Sequence, residues 1–453
     1  MADQGDRSPR ARICIDFGTA LSKASLCIDP TMPLEAGVKP IPLGAIAGAD
    51  HPLLLPSVLF VDNGRLHFGP AAFQRAQAAL AANRDPLLSF KTILGAHDVA
   101  EALATKMKPS VDPTGTLRQR DALVMYLAYL DQLIREALSR TPNLPPGILE
   151  AKRRYTSPVW KKGSGTDKIF EGIFNEAAAV SQRLGQLFMS RDGISIAQCK
   201  DALDKAAAAP GDGRMETGVF EPHAAAASAL AFSNAPVRFV LVFDMGAGTT
   251  DIAAFDFDES TDPPSLTEIT DARQCSPLAG DEIDRLLIEL LLRKRGGSSS
   301  EEDAKFLRAS KLFARELKRQ LFVEGKCALK EGWRTTTIRT QDLIEGPQFR
   351  DFLAALGGTL ASSLGAVAMK ARAANVDMID VVLAGGGANL PFMHDLVVKA
   401  SQGAARGLQV RVGPLSPSSQ LYASVDDYFA GVFPQLAMSI GGSIVEMMDT
   451  PAG

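Results

Sequence analysis

The sequence has few cysteines, and they follow no pattern. Five cysteines in 453 residues make an odd number, and no two of them show the two-residue spacing of a zinc or redox motif. A disulfide framework and a cysteine-based metal cluster are therefore both disfavoured. This cysteine usage fits a reducing compartment.

Long hydrophobic runs are missing as well. The longest apolar stretches are interrupted by charged residues, glycine or proline, and none reaches the about 18 residues that a membrane span needs. Residues 1–12 are polar and charged and lack the apolar core of a signal peptide. We therefore expect a soluble, cytoplasmic protein with no membrane partner.

Neither sign of charge is in large excess. The 48 basic and 52 acidic residues give a net charge of −4, which is not the basic footprint of a nucleic-acid-binding protein. Short basic clusters such as Lys152-Arg-Arg154 are typical of solvated faces. The 46% hydrophobic content is enough for a sizeable core, and the length suggests two or three domains.

The most informative pattern that is present lies at residues 239–255. An apolar run predicts a buried strand, which ends in Asp244 and a glycine-rich turn before a second apolar run begins. Gly246 and Gly248 would let the backbone approach a bound group closely and point N–H donors at it. The turn also carries two hydroxyl donors, Thr249 and Thr250. We call residues 239–255 the second hairpin.

Two acidic residues flank this turn, and they bear on what it binds. Asp244 and Asp251 would repel a bare phosphate, but Mg²⁺ accepts one or two carboxylates together with phosphate oxygens and water. The pattern is therefore consistent with a phosphate and magnesium site. An ordinary β-hairpin, in which Asp and Gly simply form the turn, fits the same residues.

A similar stretch occurs near the N-terminus, at residues 12–28. An apolar strand again ends in an acid, Asp16, and is followed by Gly18, Thr19 and another alternating run. We call it the first hairpin. Asp16 and Asp244 are separated by about half of the 453 residues. A repeat on that scale predicts two similar lobes, each presenting one hairpin to a shared cleft.

Elsewhere, strand patterns alternate with long helical ones, which predicts an α/β fold. Residues 30–56 are rich in Pro and Gly and are expected to form a loop. Residues 96–120 show no clear periodicity and are predicted to be a mobile excursion. A final helix is expected at 434–448. Further helices are predicted at 122–139, 170–189, 194–208, 280–292, 302–322 and 349–373, and a buried strand at 380–384.

Several short stretches together resemble, in the same order along the chain, the motifs of one protein superfamily. Asp16-Phe-Gly-Thr19 and Asp244-Met-Gly-Ala-Gly-Thr-Thr-Asp251 resemble the first and second phosphate motifs of the actin-like ATPase superfamily. Glu221-Pro-His-Ala-Ala-Ala226 is similar to a segment of the nucleotide-binding domain of Hsp70 chaperones, and Val382-Leu-Ala-Gly-Gly-Gly-Ala-Asn-Leu-Pro391 resembles the adenosine loop. Ser89-Phe-Lys-Thr-Ile-Leu-Gly95 and Leu278-Ala-Gly-Asp-Glu-Ile-Asp284 are weaker matches to Hsp70 segments.

The resemblance implies a two-lobed actin-like fold, a duplicated ribonuclease H-like unit with a central nucleotide cleft. The N-terminal lobe would be residues 1–220 and the C-terminal lobe residues 221–453. ATP or ADP and Mg²⁺ would be the ligands. Asp16 and Asp244 would hold the metal. The implied catalytic residues are Lys91, Glu221, Asp244 and Asp251. The implied nucleotide-binding residues are Gly18, Thr19, Lys23, Gly246, Gly248, Thr249, Thr250, Gly280, Lys318, Arg319, Gly385, Gly386, Gly387 and Asn389.

Within this set the resemblance implies separate roles. Lys91 would neutralise charge that develops on the γ-phosphoryl group, because phosphoryl transfer depends mostly on positioning and electrostatics. Glu221 and Asp251 would orient the attacking water. Other interpretations remain open. Lys91 also fits a surface lysine that caps a helix, and Glu221 fits an acid favoured by the dipole at a helix N-terminus.

The sequence also departs from the Hsp70 pattern. In Hsp70 an arginine of the adenosine loop stacks on the base. Asn389 occupies that position here, so the cation–π attraction to the base is lost. The helix that offers Glu-x-x-Lys-Arg to the adenosine in Hsp70 here has Glu316-Leu-Lys318-Arg319, in which the glutamate is one residue closer to the lysine. In the first phosphate motif, Ala20 and Leu21 replace residues whose hydroxyl groups contact phosphate in Hsp70. Lys23 falls instead where actin and its plasmid-segregation and cell-division relatives keep a phosphate-binding lysine.

Together these features predict a slow, Mg-dependent, Hsp70-like ATPase that acts as a conformational switch for an unknown protein partner. The sequence shows no β-rich peptide-binding domain after this region, so we expect a stand-alone ATPase domain. The extra residues at 96–120 and 160–215 are candidate partner sites. An actin-like filament-forming ATPase and a nucleotide-binding pseudo-ATPase remain as alternatives.

Overall fold

The structure is a computed structural model, and it describes residues 11–29, 31–158, 165–207, 213–232, 238–261, 265–296, 300–417 and 427–444. The strands are β1 (Arg12–Asp16), β2 (Leu21–Cys27), β3 (Val38–Pro40), β4 (Leu55–Pro56), β5 (Leu59–Asp62), β6 (Arg65–Phe68), β7 (Lys152–Ser157), β8 (Ile194–Ser195), β9 (Val219–Phe220), β10 (Phe239–Met245), β11 (Thr250–Asp258), β12 (Ser265–Glu268), β13 (Gln274–Ser276), β14 (Lys326–Glu331), β15 (Arg334–Arg339), β16 (Met378–Ala384) and β17 (Gln409–Pro414).

The α-helices are α1 (Leu34–Gly37), α2 (Leu43–Ala47), α3 (Gly69–Ala78), α4 (Val99–Ala104), α5 (Gln119–Arg140), α6 (Thr166–Leu184), α7 (Ile196–Ala207), α8 (Glu221–Phe232), α9 (Gly280–Arg295), α10 (Ser300–Glu324), α11 (Thr340–Ile344), α12 (Pro347–Ala373), α13 (Met393–Ala404) and α14 (Asp427–Ser443). Short 3-10 helices occur at Leu80–Ala82, Phe90–Gly95, Ile148–Glu150, Gly185–Met189 and Thr270–Ala272. The predicted α/β class is confirmed.

Two mixed sheets have the same topology. The strand order is β3-β2-β1-β7-β9 in the first sheet and β12-β11-β10-β16-β17 in the second. In each sheet the first three strands of this order pair antiparallel with their neighbours. The fourth and fifth strands run parallel to the third, which is β1 in the first sheet and β10 in the second. Both predicted hairpins, β1–β2 and β10–β11, therefore occupy the same place in their sheets.

The central strands of both sheets are buried, which agrees with their apolar sequences. Every residue of β10 is buried, as expected for a strand covered on both faces. One core contains residues of both sheets together with helices α8 and α14. Two further large cores lie on the first sheet with α5 and α6 and on the second sheet with α12.

The last helix joins the two halves of the chain. In α14, a Cβ on Gly441 would lie 1.7 Å from the carbonyl oxygen of Ala224 in α8, and one on Gly442 would lie 2.2 Å from Cys14 Sγ in β1. Only glycine permits such close packing. A division of the chain at residue 220 remains a prediction, and α14 crosses that division because it packs on the first sheet.

Three sequence expectations need correction. Residues 30–56, expected to be a loop, contain α1, β3, α2 and β4. Residues 96–120 contain α4 and a loop whose amides donate to buried Asp112. The last helix begins at Asp427 rather than at Pro434, which lies inside it, and residues 445–448 lie outside the described part of the chain. Short elements rich in Gly, Pro or Asp lack the periodicity that sequence analysis depends on.

One described helix, α12, is long and apolar enough to cross a membrane by length and composition alone. Its apolar residues Phe352, Leu356, Leu360 and Leu364 are buried in the core of the second half. Core helices pass the same test of length and composition, so α12 is weak evidence for a membrane span.

Candidate functional site

The turns of the two hairpins lie against each other. A Cβ added to Gly248, in the second hairpin, would lie 3.2 Å from Thr19 Oγ1 of the first hairpin and 3.0 Å from Thr92 Cγ2. Each turn follows a central strand of its own sheet, so the equal topology of the sheets brings the two turns to one point. The site is formed around this contact.

Asp16 is placed at the end of β1 and is buried. Its Oδ2 lies 2.7 Å from Lys23 Nζ, and Lys23 is its direct partner across the hairpin. Thr156 Oγ1, at the end of the parallel strand β7, donates to Asp16 Oδ1 at 3.2 Å. Lys23 also donates to the carbonyl of Leu21. The lysine therefore lies in the site beside the acid rather than in solvent.

Asp244 is the penultimate residue of β10, opposite Asp251 on β11 and beside Ala384 on β16. It is buried, and its Oδ1 has no hydrogen-bond partner among the described residues. Gly385, with a φ of 76°, approaches so closely that a Cβ there would lie 2.2 Å from Asp244 Oδ1. A buried carboxylate oxygen without a partner is costly, and it indicates a group that the protein is built to hold.

Lys91 and Glu221 form a buried ion pair. Lys91 lies in the 3-10 helix at residues 90–95. This helix follows Ser89, which has a φ of 50°. Glu221 is the first residue of α8. Lys91 Nζ donates to Glu221 Oε1 at 2.6 Å. The interpretation of Lys91 as a surface lysine is therefore wrong, because the residue is buried.

Burial and crowding of acids change the proton affinities in the site. Burial raises the pKa of Asp244 well above its ordinary value, and repulsion by Glu221, Asp251 and Asp16 raises it further. Burial likewise raises the pKa of Glu221, against the attraction of Lys91. Burial alone would lower the pKa of Lys91, but its carboxylate neighbours raise it above the ordinary value. The neighbouring carboxylates therefore favour the charged form of the lysine.

The site has more acidic than basic side chains. The carboxyl groups of Asp16, Glu221, Asp244 and Asp251 surround two cations, Lys23 and Lys91. With all six groups ionised the balance is −2, which a divalent cation would neutralise. No three acidic, histidine or cysteine side chains in the described part of the chain form a cluster that could hold a metal ion by themselves. This arrangement suits Mg²⁺, which shares one or two carboxylates with water and phosphate oxygens.

The other residues of the second hairpin complete a cradle of hydrogen bonds. Thr249 Oγ1 donates to Asp251 Oδ2 at 2.8 Å, and Thr250 Oγ1 donates to the carbonyl of Leu278 at 2.7 Å. The Gly280 amide, at the start of α9, donates to the carbonyl of Gly246 at 3.1 Å. The second hairpin is therefore tied directly to the helix expected to flank a nucleoside.

Helix α10 brings Lys318 to the same place. Lys318 Nζ donates to the carbonyl of Gly280 at 2.8 Å and lies 2.9 Å from Asp284 Oδ1. The neighbouring Arg319 is mostly exposed and pairs with Glu316 on its own helix. Of these two basic residues, the structure brings only Lys318 into contact with the hairpin region.

The glycine-rich loop after β16 lies beside the second hairpin. Gly387 donates its amide to the carbonyl of Met245 at 2.8 Å, whereas Gly386 is exposed. Asn389 is exposed, and its Nδ2 donates to the carbonyl of Gly431 in α14 at 3.1 Å. The Asn389 side chain therefore contacts the last helix and does not reach the carboxylate cluster.

Sequence analysis did not find several residues that support the site. Thr156 was missed because only the parallel pairing of β7 with β1 brings it to Asp16. Cys275 lies directly opposite Asp251. Its surface is exposed, but partial desolvation and the Asp251 charge raise the pKa of its thiol, so the thiol is favoured in its neutral form. Arg315 and Ser89 were also missed.

Arg315 links three segments around the site. It donates from α10 to the carbonyl of Ala20 in the first hairpin at 3.2 Å and to Ser89 Oγ at 3.3 Å. Ser89 Oγ in turn donates to Asp281 Oδ2 at 2.9 Å. The segment that carries Lys91 is thereby joined to both α9 and α10. No signal in the sequence indicated these contacts, because the partners are far apart in the chain.

A comparison of the sequence with models of known protein families finds no match.

Replacing Gly248 by alanine is expected to separate the two turns. The added methyl group would lie 3.0 Å from Thr92 Cγ2 and 3.2 Å from Thr19 Oγ1, so the neighbours must shift. We expect about a tenfold loss of ATP affinity with a folded protein, because the amides of the turn would no longer converge on a phosphate together with Thr19. Isothermal titration calorimetry would measure it. Gly358→Ala, which meets no atom within 4 Å in α12, is the matched control. Unchanged affinity in Gly248→Ala would contradict the site.

Asn389→Arg is expected to tighten ATP binding by about threefold to tenfold, because a guanidinium on the face of an adenine contributes about 1 kcal/mol. The substitution also removes the contact with Gly431. Asn389→Ala separates the two effects, since it loses the contact without adding a cation. Equal affinity of the Arg and Ala variants, measured by calorimetry, would show that the base does not lie beside residue 389.

Proposed function

We propose that this protein is a slow, Mg-dependent, Hsp70-like ATP hydrolase with a two-lobed actin-like fold. The nucleotide would lie between the two sheets, and the protein would act as a nucleotide-dependent conformational switch for a partner protein. One observation carries the proposal. Two glycine-rich hairpins from sheets of equal topology meet at a buried cluster in which Asp244 Oδ1 has no partner and Lys91 is the central cation. A structural hairpin would not need four buried acids at this point.

The residues around the cluster fit the parts of a phosphoryl-transfer site. The turn with Gly246, Gly248 and Thr249, together with Thr19, would bind the phosphates through backbone amides and hydroxyl groups. Asp16 and Asp244 would hold Mg²⁺, which when bound neutralises charge on the β- and γ-phosphates. Lys318 and Gly280 would lie at the nucleoside end.

Hydrolysis requires a water molecule to attack the γ-phosphorus as the bond to the β-phosphate oxygen breaks. Lys91 would stabilise negative charge on the γ-phosphoryl group, and its raised pKa keeps it protonated for that purpose. Glu221 and Asp251 would accept hydrogen bonds from the water and orient it. The pair of Lys91 with Glu221 holds the lysine in place before nucleotide binds.

Contacts between the lobes would couple the nucleotide to the shape of the protein. Arg308 of α10 donates to Asn83 Oδ1 at 2.6 Å, and Phe313 packs edge-on against Phe73. These contacts join the two sides of the proposed cleft. A ligand that binds one arrangement of the lobes more tightly would shift the population toward it. An unknown protein partner, for which residues 96–120 and 160–215 remain candidate sites, would detect that change.

The decisive experiment is steady-state Mg-ATP turnover per molecule as a function of protein concentration. A slow rate that is independent of concentration is the expected result for a monomeric switch. A rate that appears only above a threshold would favour an actin-like filament former, the second candidate, for which the position of Lys23 beside Asp16 is the supporting observation. ATP binding with no turnover would establish a pseudo-ATPase, and no ATP binding would refute the proposal.

A further inference from the structure

A tryptophan is presented to solvent at the tip of the hairpin formed by β14 and β15. Trp333 is 95% exposed, the highest value among the large hydrophobic side chains of the described residues. Gly332 and Trp333 form the two-residue loop of this hairpin, and Gly332 has a φ of 57°. Such a turn needs the glycine. It does not need an indole, so the geometry of the turn leaves Trp333 unexplained.

The loop that carries Trp333 is held rigidly on the protein. Arg295, buried at the end of α9, donates to Glu331 Oε2 at 2.9 Å. Arg334 donates to the backbone carbonyl of Arg295. Both residues that flank the loop are therefore fixed to the same helix end. Trp333 is displayed on a preorganised turn, and preorganisation reduces the entropy lost on binding.

One face of the same hairpin carries neutral and basic side chains and no acidic ones. The side chains on this outward face are Lys326, Ala328, Lys330, Thr335, Thr337 and Arg339. Lys326 and Arg339 lie directly opposite each other. Like charges in that arrangement are destabilising. No salt bridge joins Lys326, Lys330 or Arg339 to an acid of the described residues. Asp342, whose carboxylate accepts a hydrogen bond from the Arg339 amide, offsets only part of the charge at Arg339.

We propose that this hairpin surface, Trp333 with the outward face of β14 and β15, docks an acidic segment of a partner protein. The partner would bind the indole in an apolar pocket and pair its carboxylates with the three cations. We choose an acidic partner because its charge would be complementary to that of this face. The whole chain has a net charge of −4, yet this face bears three positive charges, and an acidic segment would convert their repulsion into attraction.

The same features disfavour a lipid surface as the ligand. Binding at a membrane interface needs a broad set of apolar side chains, but between Trp333 and Lys326 the outward face has only Ala328 and two threonines besides its cations. An exposed tryptophan next to basic residues is instead typical of a binding hot spot in a protein interface. The inference does not depend on ATP hydrolysis, because the hairpin surface contains none of the proposed site residues.

Tryptophan fluorescence tests the proposal directly. The sequence has two tryptophans, so Trp160→Phe leaves Trp333 as the only emitter in the full chain. We expect a synthetic peptide of alternating Glu and Leu to cause a saturable blue shift, because the indole leaves water. The affinity should fall as salt is raised. A matched peptide of alternating Lys and Leu should cause no shift.

Variants then assign the binding to the hairpin surface. With a labelled peptide, Trp333→Ala should weaken binding about thirtyfold, the typical effect of truncating an aromatic hot spot. Lys330→Glu combined with Arg339→Glu should weaken it at least about tenfold. Lys370→Glu combined with Lys399→Glu, at exposed positions of α12 and α13, is the charge-matched control and should change nothing. An unchanged thermal midpoint in each variant would show that the fold is intact.

Three outcomes would overturn the inference. A blue shift with phosphatidylserine vesicles and none with the acidic peptide would make the surface a membrane contact. A blue shift that develops when the concentration of the protein alone is raised would make a second copy of the chain the occupant. A peptide affinity that is equal in the wild type and in the Trp333→Ala variant would remove the hairpin surface from binding altogether.

Discussion

Lys91→Ala is expected to reduce Mg-ATP turnover by about a hundredfold or more while ATP affinity changes by less than about threefold. Removal of a single preorganised group that stabilises transition-state charge typically has an effect of this size. Lys91 is buried among the acids and pairs with Glu221, so in the proposed mechanism it would contribute mainly where negative charge increases during the reaction. Single-turnover hydrolysis and equilibrium binding, measured on the same preparation, separate the two effects.

The buried pair with Glu221 makes a control necessary. Lys91→Ala leaves the Glu221 carboxylate buried without its counter-charge, which costs about 3 to 5 kcal/mol of stability in comparable pairs. Adding Glu221→Gln removes that charge and should restore much of the thermal stability without restoring turnover. Recovery of both stability and turnover in the double variant would show that the pair has only a structural role. Wild-type turnover in Lys91→Ala would exclude Lys91 from the mechanism.

Asp244→Asn is expected to weaken Mg-ATP binding by about a hundredfold and to leave magnesium-free ATP binding nearly unchanged. The amide keeps the size of the side chain but loses the anionic oxygen that has no partner in the folded protein. Loss of one carboxylate ligand removes much of the attraction for a hard cation. Titrations with ATP in the presence of Mg²⁺ and of EDTA give the two affinities. Equal losses in both titrations would show that Asp244 does not hold a metal.

The same substitution is expected to stabilise the protein in the absence of nucleotide and metal. Burial and neighbouring acids raise the pKa of Asp244 in the folded state above the ordinary value of 3.8. The folded state therefore binds this proton more tightly than the unfolded state does. The contribution of Asp244 to stability is fully present below pH 3.8 and is lost as the pH rises through the raised pKa. Asp244→Asn removes this decline, and we expect a rise in the thermal midpoint of at least about 2 °C at neutral pH.

The stability measurement has its own matched control. Asp256 lies on β11 as Asp251 does, but it is on the surface and pairs with Arg238. Asp256→Asn should lower the midpoint slightly or leave it unchanged, because a surface ion pair contributes little. If Asp244→Asn also lowered the midpoint, the carboxylate would be satisfied in the folded protein. The argument that the site is built for a cation would then lose its main support.

Much of the secondary structure could be predicted because its determinants are local. The alternating strands of the hairpins, the amphipathic helix α5 and the Asn63-Gly64 turn between β5 and β6 all have short-range signals, and both turn residues have the positive φ that such a turn needs. The early start of α14 was missed because a proline inside a helix usually marks its beginning. The helices within residues 30–56 were missed because they are too short to show a period.

The sequence by itself determined the α/β class, the two hairpins and the residue types that suit a phosphate and magnesium site. Only the tertiary structure decided which of these residues meet. Lys91 and Glu221 are 130 positions apart in the chain, and they form a 2.6 Å ion pair because a 3-10 helix and the start of α8 converge beside two separate sheets. Such contacts depend on the packing of whole sheets, which no local pattern encodes. For the same reason, the exposure of Trp333 could be recognised only after the buried positions around it were known.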